Sequence, residues 1–167
     1  VNGCVYLDSN VELRVRGGYG KTLTLQNLVA EGSNSVAASL KVCDGGILRL
    51  NASNSYDGAT TLEDASTVIL AADDRLGRVP ENPQEGHLAL SDWSRLRAEL
   101  GENQVLSSNR SITIGESGGI LDVTGWALTY DGVISGSTAL AKQGAGRLNL
   151  GGENDFSGTV YLDEGML

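Results

Sequence analysis

Leu40–Thr67, LKVCDGGILRLNASNSYDGATTLEDAST, aligns without a gap on Leu140–Leu167, LAKQGAGRLNLGGENDFSGTVYLDEGML, at an offset of 100 residues. Seven of the 28 positions are identical: Leu40/Leu140, Gly46/Gly146, Leu48/Leu148, Leu50/Leu150, Asn54/Asn154, Gly58/Gly158 and Leu62/Leu162. Tyr56 stands opposite Phe156, and the acidic pair Glu63-Asp64 opposite Asp163-Glu164. The echo continues upstream with a few residues of slippage, Gly20–Leu25 paralleling Gly125–Tyr130 and Val11–Val15 paralleling Gly119–Val123. Self-similarity at a long period marks stacked architectures, in which each unit buries its apolar face only against its neighbours.

Inside each unit, short alternating runs such as Leu48-Arg49-Leu50, Thr67–Leu70, Leu88-Ala89-Leu90, Ile112-Thr113-Ile114 and Leu148-Asn149-Leu150 are set apart by turn residues. The alternation predicts strands of about three to five residues. Gly45-Gly46, Gly118-Gly119 and Gly151-Gly152 predict tight corners with positive φ, Asn54 and Asn154 taking left-handed geometry where glycine is absent. A sandwich needs longer strands joined as hairpins. Two or three strands per roughly 20 residues, with recurring Leu and Gly positions, suit instead a coil whose turns stack about 4.8 Å apart.

The expected fold is therefore all-β, a single-stranded parallel β-helix, or β-solenoid, of roughly eight rungs. It occupies 1–167 as one continuous solenoid, with repeat units at about 1–72 and 103–167 joined by a loop-bearing segment, 73–102. Ser91–Leu100, SDWSRLRAEL, reads as a strand through its Arg95-Leu96-Arg97 alternation, in preference to a short helix capped by Ser91 or Asp92. Pro80–Gly86, PENPQEG, predicts an exposed loop bulging from the coil, the kind of insertion through which a solenoid acquires binding specificity.

Composition narrows the function. Glycine occurs 23 times and Pro and Cys twice each, which excludes collagen and disulfide-dense mini-proteins. Aromatics are 5% of the chain, so the core must be built from Leu, Val, Ile and Ala. Twelve Lys and Arg against 21 Asp and Glu give a net charge of −9, which repels nucleic-acid phosphates and anionic headgroups. Neither nucleic-acid binding nor membrane contact is expected. No segment approaches 18 apolar residues and no basic-then-apolar leader opens the chain. Its two ends fall inside strand-like patterns, Val5-Tyr6-Leu7 and Val160-Tyr161-Leu162, which predicts a segment of something longer.

Several motifs invite chemistry and are better read as architecture. Gly115–Gly119, GESGG, satisfies G-x-S-x-G, but a nucleophilic serine needs a His base held by a carboxylate. The one histidine, His87, falls in a polar loop, and Gly119-Ile120-Leu121 runs on into a strand instead of a helix. Gly17–Thr22, GGYGKT, lacks the first glycine of a phosphate-binding loop because Val15 stands there. Asp73 and Asp74 would face opposite sides of a strand, and Glu63-Asp64 with Asp163-Glu164 mark equivalent surface corners. Gly151–Asp155, GGEND, partly matches a Ca²⁺-binding nonapeptide, with Asn154 in place of glycine. Cys4 and Cys43 lie 39 residues apart; two rungs between them would put their Cα atoms about 9.6 Å apart, beyond the roughly 7 Å a disulfide spans. No catalytic, cofactor-binding or metal-ligating residue is assigned, and no cofactor.

Gly132–Gly158, GVISGSTALAKQGAGRLNLGGENDFSG, resembles the autotransporter-associated β-strand repeat of passenger domains. Asp73–Gly77, Leu88–Leu90 and Asn109–Ile114 are similar to the stretch between such repeats, while Cys43-Asp44-Gly45 departs from the pattern. The resemblance implies a right-handed parallel β-helix displayed at the bacterial cell surface, held at the outer membrane by a part outside this chain, and no enzymatic activity. The expected role is a passenger stalk displaying loops for adhesion or surface coating. Its expected partners are a glycan or protein ligand on a host or cell surface, or further copies joined head to tail. A polysaccharide-processing enzyme is the alternative, marked by a groove holding three clustered acids or an acid-plus-arginine set.

Overall fold

The computed structural model describes residues 5–7, 12–16, 22–25, 29–31 and 38–167. The strands of the first half are β1 (Val5–Leu7), β2 (Glu12–Arg16), β3 (Thr22–Leu25), β4 (Val29–Glu31), β5 (Ser39–Cys43), β6 (Ile47–Leu50), β7 (Thr60–Leu62), β8 (Thr67–Leu70) and β9 (Gln84–Leu90). There follow β10 (Ser94–Leu100), β11 (Gln104–Leu106), β12 (Arg110–Ile114), β13 (Gly119–Gly125), β14 (Ala127–Tyr130), β15 (Ile134–Gly136), β16 (Ala139–Gln143), β17 (Arg147–Leu150), β18 (Asp155–Phe156) and β19 (Thr159–Leu162). One 3₁₀ turn, η1 (Asp73–Leu76), interrupts them.

Strands adjacent in sequence never pair. Every ladder is parallel and joins residues 20 to 28 positions apart. Sheet I stacks β2-β5-β7-β9-β12-β15-β18, and sheet II stacks β3-β6-β8-β10-β13-β16-β19. A three-stranded sheet, β11-β14-β17, and the pair β1-β4 complete the stack. This is a β-solenoid; a sandwich would require antiparallel hairpins. Each long sheet holds seven described strands, against roughly eight expected rungs. β9, β10 and β13 reach seven residues, longer than the expected three to five: β10 and β13 pair with each other over all seven, and β9 pairs with β12 from Gln84 onward.

Alternation decides what lies inside. On β10, Ser94, Leu96, Ala98 and Leu100 are buried while Arg95, Arg97 and Glu99 face out. In register above and below, Leu48, Val68, Leu96 and Leu121 form one inward file, and Leu88, Ile112 and Ile134 belong to another. Each full burial of such a side chain contributes about 1.5–3 kcal/mol, and the covering atoms come from the next coil.

The corner from sheet I to sheet II is one device used repeatedly. In Cys43–Gly46, Glu63–Ser66 and Ser91–Ser94 the fourth N–H donates to the first carbonyl at 3.0, 3.0 and 2.9 Å. Both central residues have positive φ: Asp44 and Gly45, Asp64 and Ala65, Asp92 and Trp93. These are type I′ turns, for which Asp-Gly is a favoured pair. The closing Ser66 and Ser94 are buried, and their hydroxyls donate to the carbonyls of Val42 and Leu62 one coil back. Asn54 and Asn154 do not take the left-handed geometry expected of them. Their side chains bridge coils instead, Asn54 Nδ2 donating to the Arg75 carbonyl (2.6 Å) and Asn154 Oδ1 accepting from the Ile134 N–H (2.8 Å).

Beyond β8 the coil runs through η1, so Asp73 and Asp74 sit on a 3₁₀ turn and the strand argument applied to them does not hold. Arg110, fully buried on β12, reaches beneath this turn. It donates to Asp73 Oδ1 (2.9 Å) and to the carbonyls of Leu76 (2.8 Å), Gly77 (2.7 Å) and Arg78 (3.2 Å). The planar guanidinium has the five donors such a set requires. The expected loop over Pro80–Gly86 is shorter than its sequence suggests, because β9 begins at Gln84, whose N–H donates to the Asn109 carbonyl (3.1 Å). Asn109 also ties the loop down through the Pro80 carbonyl (2.8 Å).

Candidate functional site

The outward files of sheet II build the site. Register places Arg49, Ile69, Arg97, Asp122 and Gln143 in one file and Ile47, Thr67, Arg95, Ile120 and Ala141 in the next. Two depressions of about 510 and about 580 Å³ lie over these files and share Arg95 and Arg97, making one trough. The lobe over β3, β6, β8 and β10 carries three guanidiniums, those of Arg49, Arg95 and Arg97, against the single carboxylate of Glu99, with Trp93 at its side. The lobe towards β13 and β16 combines Arg95 and Arg97 with Asp122, Asp163 and Glu164. One end of the trough is basic and aromatic, the other acidic.

Charges alternate across the strands. Arg49 Nη1 lies 2.7 Å from Glu99, Arg97 Nε 3.1 Å from the same carboxylate, and Arg95 Nη1 2.9 Å from Asp122. The bond from Arg49 holds the Glu99 carboxyl below the usual carboxylate range and raises Arg49 in turn. The Asp122 side chain is only 5% exposed. A carboxylate so desolvated needs its cation, and Arg95 supplies it, with Arg97 Nε 3.8 Å away. Arg97 Nε is itself buried yet makes no well-aligned hydrogen bond.

Trp93 was not singled out by the sequence. It stands at the third position of a type I′ corner with φ 57, where Gly45 and Ala65 stand in the two preceding corners, and 42% of it is exposed. A bulky side chain in the left-handed region is uncommon and costs of order 1–3 kcal/mol. Aligned by their corners, Asp44-Gly45-Gly46, Asp64-Ala65-Ser66 and Asp92-Trp93-Ser94 would have revealed the substitution.

The motifs weighed from sequence fall elsewhere. Ser117 is in a turn with φ 60, and Gly119 begins β13, as a corner requires. His87 is buried on β9 and does not lie in a polar loop, because the strand starts three residues before it. Its pKa is lowered, first by burial and then by Arg110. The acidic pairs match in sequence but not in place: Glu63-Asp64 follows β7 on sheet I, with Lys41 Nζ 2.7 Å from Glu63, whereas Asp163-Glu164 follows β19 on sheet II, where Gln143 Nε2 donates to Asp163 at 3.0 Å. Asn154, in the GGEND run, is engaged with Ile134 and the Gly152 carbonyl. Cys43 is a buried free thiol; Cys4 and the corner over 17–21 lie outside the described residues.

Residues 44–69 and 140–167 match the family model of the passenger-associated-transport-repeat. Two separate segments of the chain are thus similar to one passenger-associated repeat. Both segments contain the shared positions from Gly46/Gly146 to Leu62/Leu162, and in both an acidic pair follows the last matched Leu in sequence. Over 172 aligned residues the chain is 29% identical to the adhesin BmaC autotransporter of Brucella suis biovar 1 (strain 1330), covering 97% of this chain and 5% of that protein. It thus spans about one twentieth of the relative's length. No solved structure matches the chain. Repeat, relative and parallel stack agree on an autotransporter-passenger-like solenoid. No helix among the described residues is long and apolar enough to cross a membrane.

Proposed function

We propose that the chain is a surface-displayed interaction module of a passenger domain, a rigid rod segment with no catalysis of its own, exposing the sheet II trough and the Pro80 loop to a ligand. The observation that carries this reading is the occurrence of two segments similar to a passenger-associated repeat in one uninterrupted parallel stack. Parallel coils transmit load along the backbone ladders and leave whole sheet faces free for binding. The test is display of the parent polypeptide on intact cells with an epitope inserted between Glu81 and Asn82. Antibody labelling of unbroken cells is expected; labelling only after lysis would overturn the reading.

A second reading has its own observation, since Arg95 and Arg97 share the trough with Asp122, Asp163 and Glu164, an acid-plus-arginine set. Against it stands the clamping of Asp122, which is buried and paired with Arg95 and so poorly placed to receive a substrate proton. Incubating the chain with a panel of polysaccharides is expected to release no new reducing ends or unsaturated products. Release would make this an enzyme.

A further inference from the structure

We propose that the basic lobe of the trough binds an anionic saccharide, a uronate-bearing glycan, with the Trp93 indole stacked on a sugar ring and Arg49, Arg95 and Arg97 holding carboxylates. This deepens the display reading by naming the ligand class. Five observations point to it.

Trp93 occupies a left-handed corner position where the neighbouring corners have Gly45, Ala65 and Gly118, so the fold accepts backbone strain there and gains no buried core from it: the indole is exposed. Each guanidinium has five donors. Arg49 spends one on Glu99 and Arg95 one on Asp122, while Arg97 Nε lies near both carboxylates with no aligned bond to either. The remaining donors have no protein acceptor among the described residues, and planar guanidiniums match carboxylates.

The sign of the lobe runs against the chain. In a molecule of net charge −9 it gathers three Arg against one Glu. Thr22 and Thr67 add hydroxyls to its lining, suited to a polyhydroxylated ligand. The floor also disfavours an extended peptide. β6, β8 and β10 are each paired on both sides, so the lobe has no free strand edge on which a peptide could form a ladder. Recognition must come from side chains, and an aromatic face flanked by guanidiniums serves a charged sugar ring.

The experiment uses the full chain carrying Trp126→Phe, so that the indole signal belongs to Trp93. Oligogalacturonate, its fully methyl-esterified form and a poly-glutamate peptide of matched charge are titrated by fluorescence and calorimetry. Oligogalacturonate is expected to shift Trp93 emission and to bind more weakly as salt rises. Trp93→Gly, which suits the left-handed corner, and Arg49→Gln, which leaves Asp122 paired, are each expected to weaken binding about 10-fold, with melting no lower than the parent's for Trp93→Gly, which relieves the corner strain, and little changed for Arg49→Gln. The ester is expected to bind at least about 10-fold more weakly than the acid. The proposal is overturned if oligogalacturonate does not bind, if ester and acid bind alike, if Trp93→Gly binds as the parent does, or if poly-glutamate binds as tightly. None of these outcomes bears on whether the epitope-tagged parent reaches the cell surface, so the two readings fail separately.

Discussion

Tyr56 and Phe156 are matched in the sequences of the two copies, yet Tyr56 is fully buried and Phe156 only partly. Leu62 is likewise inaccessible, while its counterpart Leu162 is 55% exposed. The matched strands lie on different sheets, β7 on sheet I and β19 on sheet II, and they differ in what covers them. Leu62 on β7 is covered by Leu90 of β9 one coil on, whereas β19 has a strand partner on one side alone among the described residues. Each copy therefore has an apolar face without a core of its own, and the adjoining coil decides what its leucines contribute. What both copies keep is backbone fit. Gly58 and Gly158 each lie against a carbonyl of the preceding coil, Ala38 and Thr138, with no room for a Cβ.

The largest expected contrast tests this directly. Tyr56→Ala should cost about 3–5 kcal/mol by urea unfolding, since it empties a closed site and strands the Thr60 hydroxyl that the tyrosine meets at 2.7 Å. Phe156→Ala should cost about 1 kcal/mol, because water already reaches that site. Equal losses would mean that the copies are energetically equivalent and that the neighbouring coil does not matter. Gly58→Ala comes next, at about 1–3 kcal/mol, because the new methyl must push β5 and the Ala38 carbonyl away between two packed coils. Gly158→Ala meets the same obstacle at the open side of the stack, where β18 and β19 can shift, and should cost less in the same assay.

The Leu and Gly positions shared by the two copies made the coil legible, because inward files and tight corners leave a period that survives divergence. The strand over Ser94–Leu100 followed from Arg95-Leu96-Arg97 for the same reason. Other features left no local trace. Arg110 reads as a surface residue in Asn109-Arg110-Ser111, and only η1 folding over it from 34 to 37 residues upstream makes it a buried anchor. The trough is equally non-local, assembled by parallel register from residues 48 positions apart in Arg49 and Asp122's neighbour Arg97 and from a tryptophan hidden in a corner. Alternation could assign Arg49, Arg97 and Asp122 to an outward face, but not to one file.

A smaller effect separates the copies by pH. The first unit packs beside His87, whose Nε2 has no hydrogen-bond partner and whose charged neighbours are Arg110 on β12 and Asp73 on η1, with the Asp57 backbone favouring the proton. Burial, then Arg110, lowers its pKa from 6.5. In that window the unfolded chain binds more protons than the folded one, so stability falls as pH drops through 6.5 towards the folded value and flattens below it. Between about pH 7 and about pH 5 the parent's melting temperature should fall further than that of His87→Gln. Parallel curves would remove His87 from the account.

The smallest effect belongs to the second copy and lies on the alkaline side. In register with Leu121, Lys142 occupies an inward position of sheet II, its sequence match Val42 lying inward on sheet I, and its ammonium donates to the carbonyls of Gln143 (2.7 Å), Gly144 (2.6 Å) and Glu164 (3.1 Å). Burial lowers its pKa from 10.5, with Asp122 and Glu164 opposing the shift. The charged form is thus disfavoured by folding, a penalty fully present below the folded pKa and relieved as pH climbs towards 10.5. Lys142→Met keeps the volume, sheds the desolvation and forfeits three bonds, so near neutral pH it should stay within about 1 kcal/mol of the parent. As pH rises the parent alone recovers its penalty, and its stability relative to Lys142→Met should increase. A difference that stays flat with pH would show that the three carbonyls already compensate the buried charge in full, leaving the two copies distinguished by their covering coils and not by Val42 and Lys142.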